Sequence, residues 1–224
     1  MHIVAISDMH GRLPKIPPCD VLLIGGDTAP EASPGGITIY DPDLIRLEQE
    51  HWFNRDYRPW EEQVPAKHIL ATTGNHDWFT HLNDSFKTRL FIDAGCEIDG
   101  KSFYFMPWVP LFGPWNYMLD RADRKARYAD IPKNLDVLIS HGPAYDVLDR
   151  MYGGDAMGCP ELRAAILNKK PKHCIFGHIH EAQRFGCEAK LGNTVMHHVS
   201  LWNYDTGMRV GEVNPNWKPV EFDL

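Results

Sequence analysis

Long apolar runs are missing from this 224-residue chain, and with them any segment of membrane-spanning length. Its five cysteines, at 19, 96, 159, 174 and 187, are odd in number, scattered and never in a CxxC pair. That argues against a disulfide framework or a thiolate zinc site, and for the reduced thiols of a cytosol. Lys and Arg form no run that could track a phosphate backbone, and the net charge is −7, so duplex nucleic acid is not an expected partner. No basic stretch followed by an apolar one opens the chain, so no signal peptide is expected and the compartment read from the sequence is the cytoplasm. Repeats and low-complexity segments are also lacking, and nothing marks a boundary. Residues 1–224 are therefore expected to form a single domain, with 43% hydrophobic residues to build its core.

What is present is a series of short apolar runs, each closing on polar residues beside a glycine. His2 to Ser7 leads into Asp8 and His10, and Asp20 to Ile24 leads through Gly25-Gly26 into Asp27. His68 to Thr72 leads into Gly74-Asn75-His76-Asp77, Leu135 to Ile139 into Ser140-His141-Gly142, and Cys174 to Phe176 into Gly177-His178-Ile179-His180. Such runs read as strands of a sheet buried on both faces. Open α/β sheets bind ligands beyond the carboxyl ends of their strands. If these strands are neighbours, Asp8, His10, Asp27, Asn75, His76, His141, His178 and His180 converge on one crevice. Carboxylates and imidazoles gathered there need a cation. Mixed nitrogen and oxygen ligands suit Mn, Fe, Zn, Co or Ni, and seven of these eight as ligands, with His76 left over, fit two ions that share a carboxylate.

The remaining chain is punctuated more loosely. Asp43 to Tyr57 reads as an amphipathic helix ended by Pro59, Trp78 to Leu90 as a second helix, and Glu161 to Leu167 as a third. Strands are expected over 103–106, 194–199, 209–213 and 218–222, and a surface loop over 30–42. Pro107 to Trp115 is rich in proline and aromatics. It reads as core packing under a loop, as a wall facing substrate, or as a contact between two copies of the chain. Asp77 either orients His76 or a neighbouring ligand, or caps a helix from Trp78. His2, His51, His68, His81 and His173 read as surface or half-buried residues. His197-His198 leaves an orienting or substrate role open.

The order D-x-H, GD, GNHD, a lone His and GHxH, from residue 8 to 180, resembles the calcineurin-like metallophosphoesterase superfamily. Pro107-Trp108-Val109-Pro110, Ser140-His141-Gly142-Pro143, Gly158-Cys159, Pro171-Lys172-His173 and Gly177 to Glu181 are similar to the metallophosphoesterase-domain-containing proteins and to class III cyclic-nucleotide phosphodiesterases. The resemblance implies a four-layer α/β/β/α sandwich with the site at one rim. It implies that Asp8, His10 and His180 bind one divalent ion, that Asn75, His141 and His178 bind another, and that Asp27 bridges them. Manganese is the metal expected first. His76 would then stabilise charge at the scissile phosphate and act as general acid, against a hydroxide held between the ions. Phosphodiesters such as cyclic nucleotides are the expected substrates, with a nucleotide pyrophosphatase, a nuclease or a non-catalytic scaffold as the alternatives. Thr28-Ala29-Pro30-Glu31 departs from the V-D-R-G of protein phosphatases, which argues against a phosphoprotein substrate. His180 is retained where some relatives carry glycine, so an intact first ion site is expected.

Overall fold

The first strand already sorts the molecule into layers. In β1, His2–Ile6, the side chains of Ile3 and Ala5 join one apolar cluster and those of Val4 and Ile6 another, and all four are fully buried. A strand covered on both faces requires a layer on each side. The computed structural model, which describes residues 1–31, 41–201 and 217–224, supplies both.

β1 pairs in parallel with β2, Cys19–Ile24, which pairs with β3, Ala66–Ala71, and that with β4, Thr88–Leu90. β13, Val220–Asp223, adds an antiparallel edge to β1. The second sheet has at its centre β6, Lys101–Met106, β9, Val137–Ser140, β10, His173–Phe176, and β12, Thr194–His198, all parallel. β5, Ala94–Ile98, and β11, Glu188–Leu191, close it as antiparallel edges. Ile3, Ala5, Val21, Leu23 and Leu70 of the first sheet meet Phe103, Phe105, Val137, Ile139 and Ile175 of the second in a central apolar layer. The outer face of the first sheet is covered by α1, Pro42–Trp52, and the helical turn after it, through Trp52, Phe53 and Tyr57. Tyr128 of α3, Arg121–Ala129, and Leu162 and Ile166 of α4, Pro160–Lys169, cover the second. The architecture is the four-layer α/β/β/α sandwich.

Several local expectations fail, each for a visible reason. Pro59 does not end the first helix. The chain passes through one π turn, Phe53–Tyr57, into α2, Arg58–Gln63, where Pro59 sits in the first turn and its missing N–H is tolerated. No helix forms over 78–90. Asn83 Oδ1 accepts the Ser85 N–H at 3.0 Å, and the buried Glu61 carboxylate accepts the Lys87 and Thr88 N–H groups, both at 3.0 Å, drawing that end into β4. Pro107 to Trp115 is not wholly irregular: β7, Val109–Pro110, pairs with β8, Met118–Leu119. The weakly apolar α3, β5 and β11 go beyond what the hydrophobic pattern announced. The strand expected over 209–213 and most of the loop expected over 30–42 lie outside the described residues. Among the described residues, no helix is long and apolar enough to cross a membrane.

Candidate metal centre

Each candidate residue follows the carboxyl end of a parallel strand: Asp8 and His10 after β1, Asp27 after β2, Asn75 and His76 after β3, His141 after β9, and His178 and His180 after β10. The two sheets join at this rim. Ser7 N–H donates to the Val199 carbonyl at 2.9 Å and Leu201 N–H to the Ser7 carbonyl at 2.7 Å. Hence strands from different sheets deliver their ends to one place. Asp8, His10, Asp27 and His178 take left-handed backbone there, with φ of 55°, 44°, 50° and 70°. That conformation costs a non-glycine residue roughly 1–2 kcal/mol. Four of the positive-φ non-glycine residues thus gather at this one rim.

Asp8, His10 and His180 each place a ligating atom within 4.8 Å of the other two, and Asp27, His141 and His178 do the same. His180 Nε2 is 3.2 Å from Asp8 Oδ1 and 3.4 Å from His10 Nε2. Asn75 Oδ1 lies 3.0 Å from His141 Nε2 and so belongs with the second group. Asp27 stands between the two: its Oδ2 is 3.3 Å from His141 Nε2 and 3.8 Å from His10 Nε2. His141 Nδ1 faces the Gly25 carbonyl at 2.9 Å, which fixes the ring and turns Nε2 toward Asp27 and Asn75.

The electrostatics follow from burial. Asp8 and Asp27 are buried, which alone would raise them, yet His180 beside Asp8 and His141 beside Asp27 hold both below the usual carboxylate range. Burial pushes His10 and His178 down to about 3, leaving neutral imidazoles. Burial also opposes charge on His141, but the Asp27 carboxylate overrides it and pushes that ring up to about 9. Two buried carboxylates thus demand positive charge nearby, as protons on histidine or as divalent cations. Once His141 gives up its proton to a cation, imidazole nitrogens with carboxylate and amide oxygens make a donor set that fits such cations.

Two glycines make the convergence possible. A methyl group on Gly74 would strike the Asp27 carboxylate and come within 2.5 Å of His141 Cε1, and one on Gly177 would strike the Asp8 carboxylate. Gly74→Ala is expected to displace Asp27 and His141 at a cost of about 1–3 kcal/mol. It should lose most bound metal while remaining folded, as read by circular dichroism beside elemental analysis. Unaltered metal content would show that the strand ends have slack.

His76 lies outside these two groups, but with His10 and Glu31 it forms a third set of donor atoms within 4.8 Å of one another. Its ring meets the Trp115 ring at 4.1 Å between centroids and the His10 ring edge-on at 5.0 Å. Its N–H donates to Asp27 Oδ1 at 2.8 Å. Asp77 caps no helix. Its buried carboxylate accepts N–H groups from Gly74 at 2.9 Å, Thr28 at 3.1 Å and Ala29 at 3.0 Å, tying the end of β3 to the turn that carries Asp27. Burial and the Asp27 charge push Asp77 up to about 7, while the three amides pull it the other way.

Gln49, Asn116 and Glu31 escape a reading of the sequence. Gln49, buried on α1, donates to the His76 carbonyl at 2.8 Å and accepts the Trp78 N–H at 2.7 Å. Asn116 Nδ2 donates to the Asp77 carbonyl at 2.9 Å. Glu31 Oε1 lies 3.7 Å from His10 Nδ1 and 3.8 Å from His76 Nδ1. Lone polar residues on a helix or a loop carry no local signature of such roles. His198 resolves one open reading: it is buried, with Nε2 3.0 Å from the carbonyl of Ile179, the residue between His178 and His180. His197 instead stacks on Phe222 at 4.7 Å, away from the site.

Residues 1–182 match the family model described as calcineurin-like phosphoesterase. The chain belongs to this family. Calcineurin-like phosphoesterases use divalent metals, and the two ligand groups above are where this member can hold them. A UPF0046 protein of Caenorhabditis elegans is 26% identical over 84% of this chain and 52% of its own length. Metallophosphoesterase domain-containing protein 1 of Homo sapiens is 23% identical over 80% of this chain and 60% of its own. An uncharacterized protein of Methanocaldococcus jannaschii is 26% identical over 91% of this chain and 90% of its own. The chain thus spans little more than half of the worm and human relatives. One solved structure, 14% identical, superposes with a TM-score of 0.61 over 92% of both chains, and a Thermus thermophilus protein, 12% identical, with 0.50 over 88% of both. These neighbours share the fold.

Proposed function

We propose that this calcineurin-like phosphoesterase is a dinuclear-metal phosphodiesterase acting on small phosphodiesters, cyclic nucleotides among them. The observation that carries the reading is the position of Asp27, whose Oδ2 reaches toward both ligand groups. Asp8, His10 and His180 would hold one divalent cation, Asn75, His141 and His178 the other, and Asp27 both. Manganese is the first choice among Mn, Fe, Zn, Co and Ni. When bound, the pair supplies Lewis acidity at the phosphoryl oxygens and an acidified water as nucleophile. The protein's own part is to orient and to move a proton. His141 is held by the Gly25 carbonyl, Asp27 by the His76 amide, and the His178 amide donates to Asp8 at 3.0 Å. The His76 ring faces the cleft and is placed to protonate the leaving oxygen.

A diester suits the cleft better than a monoester. Its charged side chains are Asp27 and Glu181, with Glu31 close by, and no Lys or Arg lines it among the described residues. Beyond the metal pair and the histidines, no described side chain there offers a fixed positive charge to the second negative charge of a monoester dianion. The test is a panel with added Mn²⁺: bis-p-nitrophenyl phosphate, p-nitrophenyl phosphate, and 2′,3′- and 3′,5′-cyclic AMP. Diester turnover that needs the metal and exceeds monoester turnover by about tenfold or more in kcat/KM is expected. A protein that turns over none of the four would be a scaffold that keeps the fold without the reaction.

A further inference from the structure

The reaction uses the polar floor of the cleft and leaves its apolar wall unexplained. The cleft, of about 370 Å³, is bounded on one side by Pro110, Leu111, Phe112, Met151 and Met157. A contiguous apolar patch bordering a cleft is seldom left open to water without a use, whereas single exposed apolar residues are ordinary. Here Leu111 is 59% exposed and Phe112 54%, and both methionines of the wall are exposed as well. Their exposure is built in. Val109, just before Pro110 and Leu111, is fully buried and its N–H donates to the Tyr117 carbonyl at 3.1 Å. Nearby, Trp108 Nε1 donates to Asp93 at 2.6 Å. The methionine loop is rooted by buried Asp149, whose Oδ2 accepts N–H groups from Asp146 and Gly158, each at 2.8 Å, and whose carbonyl accepts the Met157 N–H at 3.0 Å. Two separate segments are thus anchored from below and present apolar tips to one space.

That space adjoins the chemistry. The Phe112 ring lies 5.5 Å from the His178 ring, and His178 belongs to the second ligand group. Methionine conforms to irregular apolar partners, and aromatic rings pair in tilted or offset contact. Resting on the phosphodiester reading, we infer that the ester group remaining on the phosphorus carries a flat, largely apolar ring, an aryl ring bound directly or a base borne on its sugar. It is seated against the wall that Leu111, Phe112, Met151 and Met157 form. A small or strongly charged ester group gains nothing from this wall. The loop tip at 111–112 therefore sets specificity while the metal-binding residues set the reaction.

Binding and turnover separate this inference from the reading beneath it. Equilibrium binding of diphenyl phosphate and of dimethyl phosphate to the Mn²⁺-loaded protein is measured by calorimetry. In parallel, kcat/KM is compared for phenyl and methyl p-nitrophenyl phosphate, which share a leaving group. A preference for the phenyl compounds of about tenfold is expected in both, equivalent to about 1.4 kcal/mol. In the double variant Leu111→Ser, Phe112→Ser the ratio should fall toward one, with metal content and melting temperature held as the control for folding. A wild-type ratio near one, or an unchanged ratio in the variant, overturns the inference. If no diester is turned over, the phosphodiesterase reading falls, and the binding ratio still decides this one.

Discussion

Asp27→Asn is expected to empty both metal positions and to lower kcat/KM by about 10³-fold or more, the several kcal/mol that metal-ion catalysis supplies. Asp27 is nearly fully buried and reaches toward His141 at 3.3 Å and His10 at 3.8 Å with the same oxygen. The other oxygen is committed to the His76 amide. Asparagine keeps one carbonyl oxygen, so it could face a ligand group or the amide but not serve both. Its NH₂ would point a donor where a cation must sit, and the negative charge that offsets the cations is lost. Removing any single histidine would leave one proposed group complete, whereas Asp27, as the proposed bridge, would serve both. Metal content by elemental analysis is the direct measurement. A thermal melt adds an independent one: Mn²⁺ at about 100 times its Kd should stabilise the wild type by ~2.7 kcal/mol, roughly 5–10 °C for a chain of this size. The variant should show little of that gain. Wild-type stoichiometry in Asp27→Asn would remove the bridging role.

The strand-end residues are legible in the sequence because two independent patterns coincide at them. The apolar runs before Asp8, Asp27, Asn75, His141 and His178 are strong, since those strands are buried on both faces and need no alternation to be seen. The glycine beside each marks a close approach: at Gly74 and Gly177 even a methyl group would collide with the carboxylate across the rim. Order along the chain then stands in for proximity, because parallel strands put all their carboxyl ends at one edge. What the sequence hides is whatever depends on contact between elements. Gln49 looks like any polar residue on a helix until α1 packs beside the His76 turn. Asp77 looks like a helix cap because capping is the local habit of Asp. Only the fold shows that its partners are the amides of Thr28 and Ala29, some fifty residues away. The helix misread over 78–90 has the same origin, since Glu61 supplies from another element the bonds that stop it.

His76→Ala is expected to lower kcat by about 10²–10⁴ with metal content nearly unchanged. The His76 ring is outside the two groups formed with Asp8 and Asp27, although it makes a third set of donors with His10 and Glu31, and its backbone amide, the part that holds Asp27, survives the substitution. Gln49 and Asn116 continue to brace the turn on which it sits. Two roles are consistent with that position: proton donor to the leaving oxygen, or positive charge beside the phosphoryl group. They respond differently to the leaving group. p-Nitrophenolate departs without a proton, so loss of a donor should cost little with bis-p-nitrophenyl phosphate and the full factor with an alkyl leaving group. Loss of a charge held against the phosphoryl oxygens should cost about the same for both. The tilted contact with Trp115, beside the cleft, favours the first outcome, because it orients the ring through its face while Nδ1 lies 3.8 Å from the Glu31 carboxylate. Loss of both metals in the variant would make His76 a ligand instead, and the proton would then have to come from another group.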